Sequence, residues 1–171
     1  QDSGEPGPWQ GPIWGWGGTS TPVPGAVFIE GKHAFFLHRN GYLDVSDVTN
    51  PLEPISIVQF DAGIWGGGHV AVDGRHACLT PHYGAEDTDR GPLRIVDIEN
   101  PAQPRMVARH TVGARIEGVF LTNNTVFAAC GDAGLRIIDI GNPAVMRPVG
   151  EYVAENAGAL GGSGTDALVI A

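Results

Sequence analysis

A strand-and-turn motif that occurs three times constrains the fold of this chain more than any other feature. Each copy is a short apolar segment that carries one Asp and ends in Asn-Pro. The three copies are residues 41–51, 91–101 and 134–143. Pro51 and Pro101 are 50 positions apart, and Pro101 and Pro143 are 42 apart. A motif that returns at a nearly constant interval is the signature of a repeat architecture.

Each repeat is predicted to contain four short strands. The segments are short, rich in β-branched residues and bounded by Gly, Pro or Asn, and none has the length of an amphipathic helix. Asn40-Gly41, between two apolar segments, is a strong hairpin signal. The predicted strands are residues 26–30, 33–38, 42–48 and 55–60, then 69–72, 76–79, 93–98 and 105–109, then 118–121, 125–129, 135–140 and 147–152. A Gly/Ser-rich join at 156–164 leads to a last strand at 167–170.

One insertion explains the longer of the two intervals. Leu79 and Leu93 are 14 positions apart in the second repeat, whereas Leu37 and Leu43 are 6 apart in the first. The additional residues fall in segment 80–90, between the second and third strands. Without this insertion the repeat has about 42 residues, which is typical of a blade in a β-propeller.

The repeat therefore predicts an all-β fold of β-propeller blades, each with four antiparallel strands. A β-sandwich also has short strands and regular turns, but it does not explain why one motif returns every four strands. Stacking covers both faces of each blade, which no single blade achieves. The chain is predicted to hold about three and a half blades, at residues 25–66, 67–115, 116–158 and, in part, 159–171.

Residues 1–24 are predicted to form an extended arm before the first blade, because their Pro and Gly content precludes regular structure. The arm carries Trp9, Trp14 and Trp16, three of the four tryptophans in the chain. Indole rings bury large apolar areas, so the arm is expected to pack on a surface. That surface is either its own domain or a partner or neighbouring subunit.

At the motif itself, a resemblance to a known family becomes visible. The segments Leu93–Pro101 and Leu135–Pro143 resemble the LVIVD repeat, a blade motif of exported bacterial and archaeal propellers. The resemblance extends over about residues 25–171 and implies a propeller fold and export. The resemblance identifies no catalytic residues in this sequence. Closed propellers have about four to eight blades, so the resemblance implies a ring completed by a longer chain or by another chain.

Charge and composition narrow the classes of partner. The formal net charge is −9 without any cluster of Lys and Arg, which argues against nucleic acid and anionic membranes as partners. No apolar segment approaches the roughly 20 residues of a membrane span. Gln1, in place of Met, is expected at a mature N-terminus after signal cleavage, unless it is only a chain boundary. Cys78 and Cys130 are interpreted as two buried free thiols, with a bridge as the alternative.

Asp47, Asp97 and Asp139 precede the Asn-Pro turns by two or three residues. A short carboxylate at this position is able to accept backbone N–H groups of the turn and hold it in place. The three residues are therefore interpreted as structural turn clamps, one in each blade, and not as a catalytic set.

Four of the six histidines are expected at strand ends or loops that open on one face of the propeller. They are His38, His69, His82 and His110. The insertion adds three carboxylates on that face, Glu86, Asp87 and Asp89. Carboxylates suit a hard cation such as calcium, and imidazoles suit a transition metal. Because the spacing matches no EF-hand loop or paired metal motif, a solvated loop with scattered histidines is the alternative.

Two functional hypotheses follow, and no catalytic residue is predicted. The first is a non-enzymatic exported propeller, an interaction or structural module of a surface or extracellular assembly, whose ring is completed by a protein partner or by self-association. The second is a metal-dependent propeller oxidoreductase that uses the histidine-bearing face. The first needs no cofactor, whereas the second needs a bound metal.

Overall fold

The computed structural model of the chain describes residues 24–64, 66–81, 92–153, 159–163 and 166–170. Side chains are described for residues 26–64, 66–81 and 92–153. Several residues of the sequence hypotheses lie outside the described part. They are the arm residues Trp9, Trp14 and Trp16, and the insertion residues His82, Glu86, Asp87 and Asp89.

Three sheets of four antiparallel strands follow one another along the chain, as predicted. The first blade contains β1 (Pro24–Glu30), β2 (His33–His38), β3 (Tyr42–Asp47) and β4 (Ile55–Asp61). The second contains β5 (Gly68–Asp73), β6 (His76–Pro81), β7 (Pro92–Asp97) and β8 (Arg105–Thr111). The third contains β9 (Gly118–Thr122), β10 (Thr125–Ala129), β11 (Leu135–Asp139) and β12 (Arg147–Tyr152). Strands β13 (Ala159–Ser163) and β14 (Asp166–Ile170) form a two-stranded fourth sheet.

Two local predictions are corrected by the structure. The join expected at residues 156–164 contains a strand, β13, which pairs with β14 in full register. The third Asn-Pro turn closes as one turn of 3-10 helix, Pro143–Val145, with Asn142 as its N-cap. Proline suits the start of such a turn because its fixed φ is already helical and it needs no N–H partner there.

The first strand of each sheet packs against the first strand of the next, so that β1, β5, β9 and β13 follow one another at the centre of the stack. One apolar cluster joins the first and second blades through residues such as Leu37, Val45 and Leu79. A second cluster joins the second and third blades through residues such as Ile95 and Leu121. The second blade contributes to both clusters, which shows that both of its faces are covered.

Each Asn-Pro turn is held by the same pair of side-chain contacts. The carboxylates of Asp47, Asp97 and Asp139 accept the backbone N–H two residues further on, at 2.7, 3.0 and 2.8 Å. The side-chain oxygens of the three turn asparagines accept the N–H two residues after them, at 3.1–3.2 Å. An aspartate and an asparagine thus satisfy the backbone donors that a tight turn leaves unpaired. The asparagine contact was not anticipated from the sequence.

The third strands end one residue earlier than predicted, at Asp47, Asp97 and Asp139. The residue after each aspartate donates its N–H to a carbonyl of the turn between the first and second strands, at 2.8 Å in all three blades. Because its N–H is bonded to the turn, this residue does not continue the pairing between the strands. The outer strands share a second irregularity, because a β-bulge leaves Ile57, Val107 and Val149 unpaired at equivalent positions. Bulges of this kind bend an edge strand and oppose pairing with another chain.

Among the three turn aspartates, Asp97 of the second blade should contribute most to the free energy of unfolding. Asp97 is 4% exposed and also accepts hydrogen bonds from the guanidinium groups of Arg75 and Arg105, at 2.9 and 3.2 Å. We expect Asp97→Ala to lower the free energy of unfolding by about 2–3 kcal/mol, because it leaves charged donors without their acceptor. Urea unfolding measures this change. Asp47→Ala is the matched control, because Asp47 lies at the same position without such arginines, and a cost as large as that of Asp97→Ala would contradict the prediction.

Candidate functional site

The outward face of the first blade is the candidate site, because two apolar side chains of its first strand are far more exposed than their equivalents in the second blade. Val27 and Ile29 on β1 are 54% and 64% exposed. Val70 and Val72 occupy the same positions on β5 and are 8% and 3% exposed. At the third blade, Leu121 on β9 is 3% exposed. We call the surface formed by Val27 and Ile29 the open face.

The strand register shows that these positions are equivalent. Val27 lies opposite Phe36 on the second strand, as Val70 lies opposite Leu79. Val70 and Leu79 both belong to the cluster between the first and second blades, so this side of a blade faces the preceding one. The other side of the first blade packs on the second blade through Phe35 and Leu37. The open face is therefore the position where a preceding blade would pack.

The turns between first and second strands also join one blade to the next. Gly74 donates its N–H to a carboxylate oxygen of Glu30 in the preceding blade, at 2.8 Å. Asn123 donates its N–H to the carboxylate of Asp73 in the same way. Glu30 and Asp73 are each the last residue of a first strand. Sequence reasoning missed both residues, although an oxygen acceptor at the end of each first strand was a signal available in the repeat.

The first blade differs from the others at one charged position. Asp44 lies where the second and third blades have Arg94 and Arg136, directly after the first leucine of the third strand. Arg94 donates from Nη1 to the carbonyl of Ala62, in the segment that connects the first two blades, at 2.6 Å. Asp44 accepts the hydroxyl groups of two serines at 3.3 Å each, from Ser46 and Ser56. The first blade thus satisfies this position within its own sheet.

His38 is buried next to this aspartate. Its Nε2 atom is 3.9 Å from a carboxylate oxygen of Asp44, which is too long for a hydrogen bond. Neither ring nitrogen has a hydrogen-bond partner in the described part of the chain. Burial lowers the pKa of His38 below its ordinary value of 6.5, and the charge of Asp44 opposes that effect. The ring is therefore neutral in the folded protein at pH 7.

The three predicted histidines that the structure describes do not form one ligand set. His38 lies at the end of β2, His69 near the start of β5 and His110 near the end of β8. Within residues 26–64, 66–81 and 92–153, no three His, Cys, Asp or Glu side chains converge as metal ligands. The metal hypothesis, which also rests on His82 and on the carboxylates of the insertion, stays a prediction.

A groove of about 470 Å³ lies on the Asn-Pro side of the second and third blades, and its lining includes His76, Asn124 and Asn142. Its basic side chain, Arg75, is held by Asp97 at 2.9 Å and Glu99 at 3.3 Å. These two carboxylates offset the charge of the guanidinium.

The two cysteines are free and buried, as the sequence analysis predicted. Burial raises the pKa of Cys78, and it raises the pKa of Cys130 to about 11. Both side chains are therefore protonated thiols at neutral pH. A thiol that remains protonated is a poor nucleophile and a poor metal ligand.

The buried His38 should make stability depend on pH. Above 6.5 the ring is neutral in both states, and as the pH falls through 6.5 the unfolded chain takes up the proton first. We therefore expect the melting temperature to fall by a few degrees between pH 7.5 and pH 5.5, and His38→Gln to remove part of that fall. Thermal unfolding followed by circular dichroism measures it. The pH dependence should persist in His33→Gln, and its persistence in His38→Gln would contradict the assignment to His38.

Comparison with known proteins agrees with this geometry. The family model of the LVIVD repeat matches residues 87–112 and 117–154, which confirms the resemblance for the second and third blades. None of the curated proteins matches the sequence. Among solved structures, the computationally designed Ika4 protein is similar with a TM-score of 0.64 and 12% identity, over 88% of this chain and 86% of that one.

Two natural propellers also superpose on the chain. One is the β-propeller domain of Cps50 (Swd1) from Myceliophteria thermophila, with a TM-score of 0.54 and 16% identity over 81% of this chain and 44% of that one. The other is the WD40-repeat structure of RRP9, with a TM-score of 0.54 and 11% identity over 82% of this chain and 42% of that one. The chain spans less than half of either propeller. At these identities the similarity establishes the fold, a set of propeller blades.

No helix in the described residues is both long and apolar enough to span a bilayer.

Proposed function

We propose that this chain, whose second and third blades carry LVIVD repeats, is a non-enzymatic interaction module of an exported assembly. Its open face docks on a protein partner or on a second copy, and that contact completes the array of blades. The observation that carries the proposal is the exposure of Val27 and Ile29 at positions where the second blade buries Val70 and Val72. Val27 and Ile29 thus occupy positions that make blade-to-blade contacts elsewhere in the chain, and in the first blade these positions are accessible to a partner.

Burial of the open face would contribute favourable free energy to binding, because it removes apolar side chains from water. Complete burial of one valine or isoleucine side chain contributes about 1.5–3 kcal/mol. Val27 and Ile29 are already partly buried, so covering them gains roughly half of that amount for each side chain, which contributes to an interface without determining its affinity alone. Val149, on the outer strand β12, is 59% exposed, and Val107 at the equivalent position of the second blade is also exposed, at 37%.

The remaining properties support a protein partner. The net charge of −9 disfavours nucleic acid and anionic membranes. The described cysteines are protonated thiols, and the described histidines form no shared ligand set. Export is the cellular context implied by the resemblance to exported LVIVD propellers. The net charge and the family resemblance therefore favour a protein partner in an exported assembly.

A charge placed on the open face tests this proposal. We expect Val27→Lys to release the chain from its assembly, because the lysine ammonium would have to be buried between two blades. Native mass spectrometry of the particle isolated under non-denaturing conditions measures the mass of the assembly. Val149→Lys is the matched control, since Val149 is 59% exposed on an outer strand and should leave the particle intact. A wild-type particle that is a lone monomer would overturn the proposal.

The competing hypothesis is the metal-dependent oxidoreductase, and the observation in its favour is the pair of unpartnered ring nitrogens on His38 beside Asp44. Metal analysis of the purified protein separates the two. We expect transition metal and calcium far below one equivalent per chain, because His38 has a single charged neighbour in the described part of the chain. A stoichiometric metal that is lost in His38→Ala and His69→Ala would favour the oxidoreductase instead.

A further inference from the structure

We infer that the occupant of the open face is a second copy of this chain, docked head to tail so that its fourth sheet, β13 and β14, covers β1. This inference rests on the proposed function and names the partner of the same face. The contact is predicted to repeat the junctions that already join the blades within the chain, including one hydrogen bond from Gly31.

The turn that contains Gly31 has the same backbone conformation as the turns that join the blades. Gly31, Gly74 and Asn123 each follow the last residue of a first strand, and their φ angles are +57°, +57° and +48°. Glycine and asparagine are the residues that tolerate this left-handed region. In the second and third blades the N–H group at this position donates to a carboxylate of the preceding blade.

The equivalent donor in the first blade is the N–H of Gly31, and it has no acceptor among the described residues. By equivalence with Gly74 and Asn123, this N–H is expected on the junction side that carries the exposed Val27 and Ile29. The open face therefore presents the apolar contact and the hydrogen-bond donor of a blade junction together.

The chain also holds an acceptor that matches this donor. The last residues of the four first strands are Glu30, Asp73, Thr122 and Ser163. Ser163 pairs with Asp166 in the same register in which Glu30 pairs with His33 and Asp73 pairs with His76. All four residue types carry a side-chain oxygen that is able to accept an N–H group. The register therefore gives Ser163 of one copy the strand position from which Glu30 and Asp73 accept, and Gly31 of the next copy is its proposed donor.

The orientation of the contact follows from the two sides of a blade. Within the chain, one side of each blade packs on the opposite side of its neighbour, so the junctions are head to tail. A face-to-face dimer would place Val27 against Val27 and would leave both Gly31 donors without the acceptor that the other junctions have. A head-to-tail contact repeats the existing geometry and closes into a ring when the rotations sum to a full turn.

Self-association of the purified full chain tests the inference. We expect Ser163→Ala to weaken association by about three- to ten-fold, because one hydrogen bond is lost. Ser163→Asp should strengthen it, because a carboxylate restores the acceptor of the other junctions. Thr111→Ala, at the exposed end of an outer strand, is the matched control and should leave the dissociation constant unchanged. Sedimentation equilibrium gives these constants.

Hydrogen exchange of the Gly31 amide provides a second readout that does not depend on a variant. Its protection should rise with protein concentration, in parallel with association. Association that requires Val27 but ignores both Ser163 variants, and leaves the Gly31 amide exchanging freely, would overturn this inference and leave the proposed function in place. A purified chain that is monomeric, while the native particle contains a different protein, would do the same. If the Gly31 amide were protected at every concentration in a chain that stays monomeric, the inference would also be overturned. The amide would then be bonded within a single chain.

Discussion

A sheet that is apolar on both faces needs a neighbour on each face, and the rest of this structure depends on that requirement. The second blade satisfies it, since Val72 faces the first blade and Ile95 faces the third. Burial of these residues provides the main favourable term in stacking, because it removes apolar area from water. The first blade is covered by the second on one side, whereas Val27 and Ile29 on its other side remain 54% and 64% exposed. Its other side is consequently the surface at which an association gains the most.

Hydrogen bonds at the blade edges determine how the blades align once they stack. The turn clamps of Asp97 and Asn100 shape each unit locally, through contacts only two residues long. The carboxylates of Glu30 and Asp73 act between units, because each accepts an N–H group from the turn of the next blade. Apolar burial alone is non-directional and would allow the sheets to slide. The directional contacts at the turns define one rotation and one register.

Much of the fold was predictable because the repeat encodes it locally. The bounds of β2, β10 and β12 agree with the predicted strands, and most other strands differ from the prediction by one or two residues. The four-strand unit and its Asn-Pro turns could be inferred because turn chemistry and alternation act over a few neighbouring residues. The bulges at Ile57, Val107 and Val149 could not be inferred, since they depend on the pairing between outer strands.

The candidate site was less predictable. Reasoning from strand ends grouped the histidines on one face, but such reasoning gives no distances. The structure instead places the neutral ring of His38 beside the carboxylate of Asp44, at 3.9 Å. Residues that share one face of a propeller are not necessarily close enough to bind the same metal ion, because the strands of different blades diverge from the centre. The acceptors at the ends of the first strands were visible in the sequence, yet their role requires knowledge of which turn lies next to which.

By itself, the sequence determined the repeating unit, its four strands and the residues that close its turns, because these depend on interactions between residues close together in the chain. Only the tertiary structure decided which apolar surfaces are covered. Val27 and Val70 have the same position in the repeat and the same alternation around them, yet one is 54% exposed and the other 8%. Burial depends on what packs against a strand from a distant part of the chain or from another molecule, and local sequence holds no record of that neighbour.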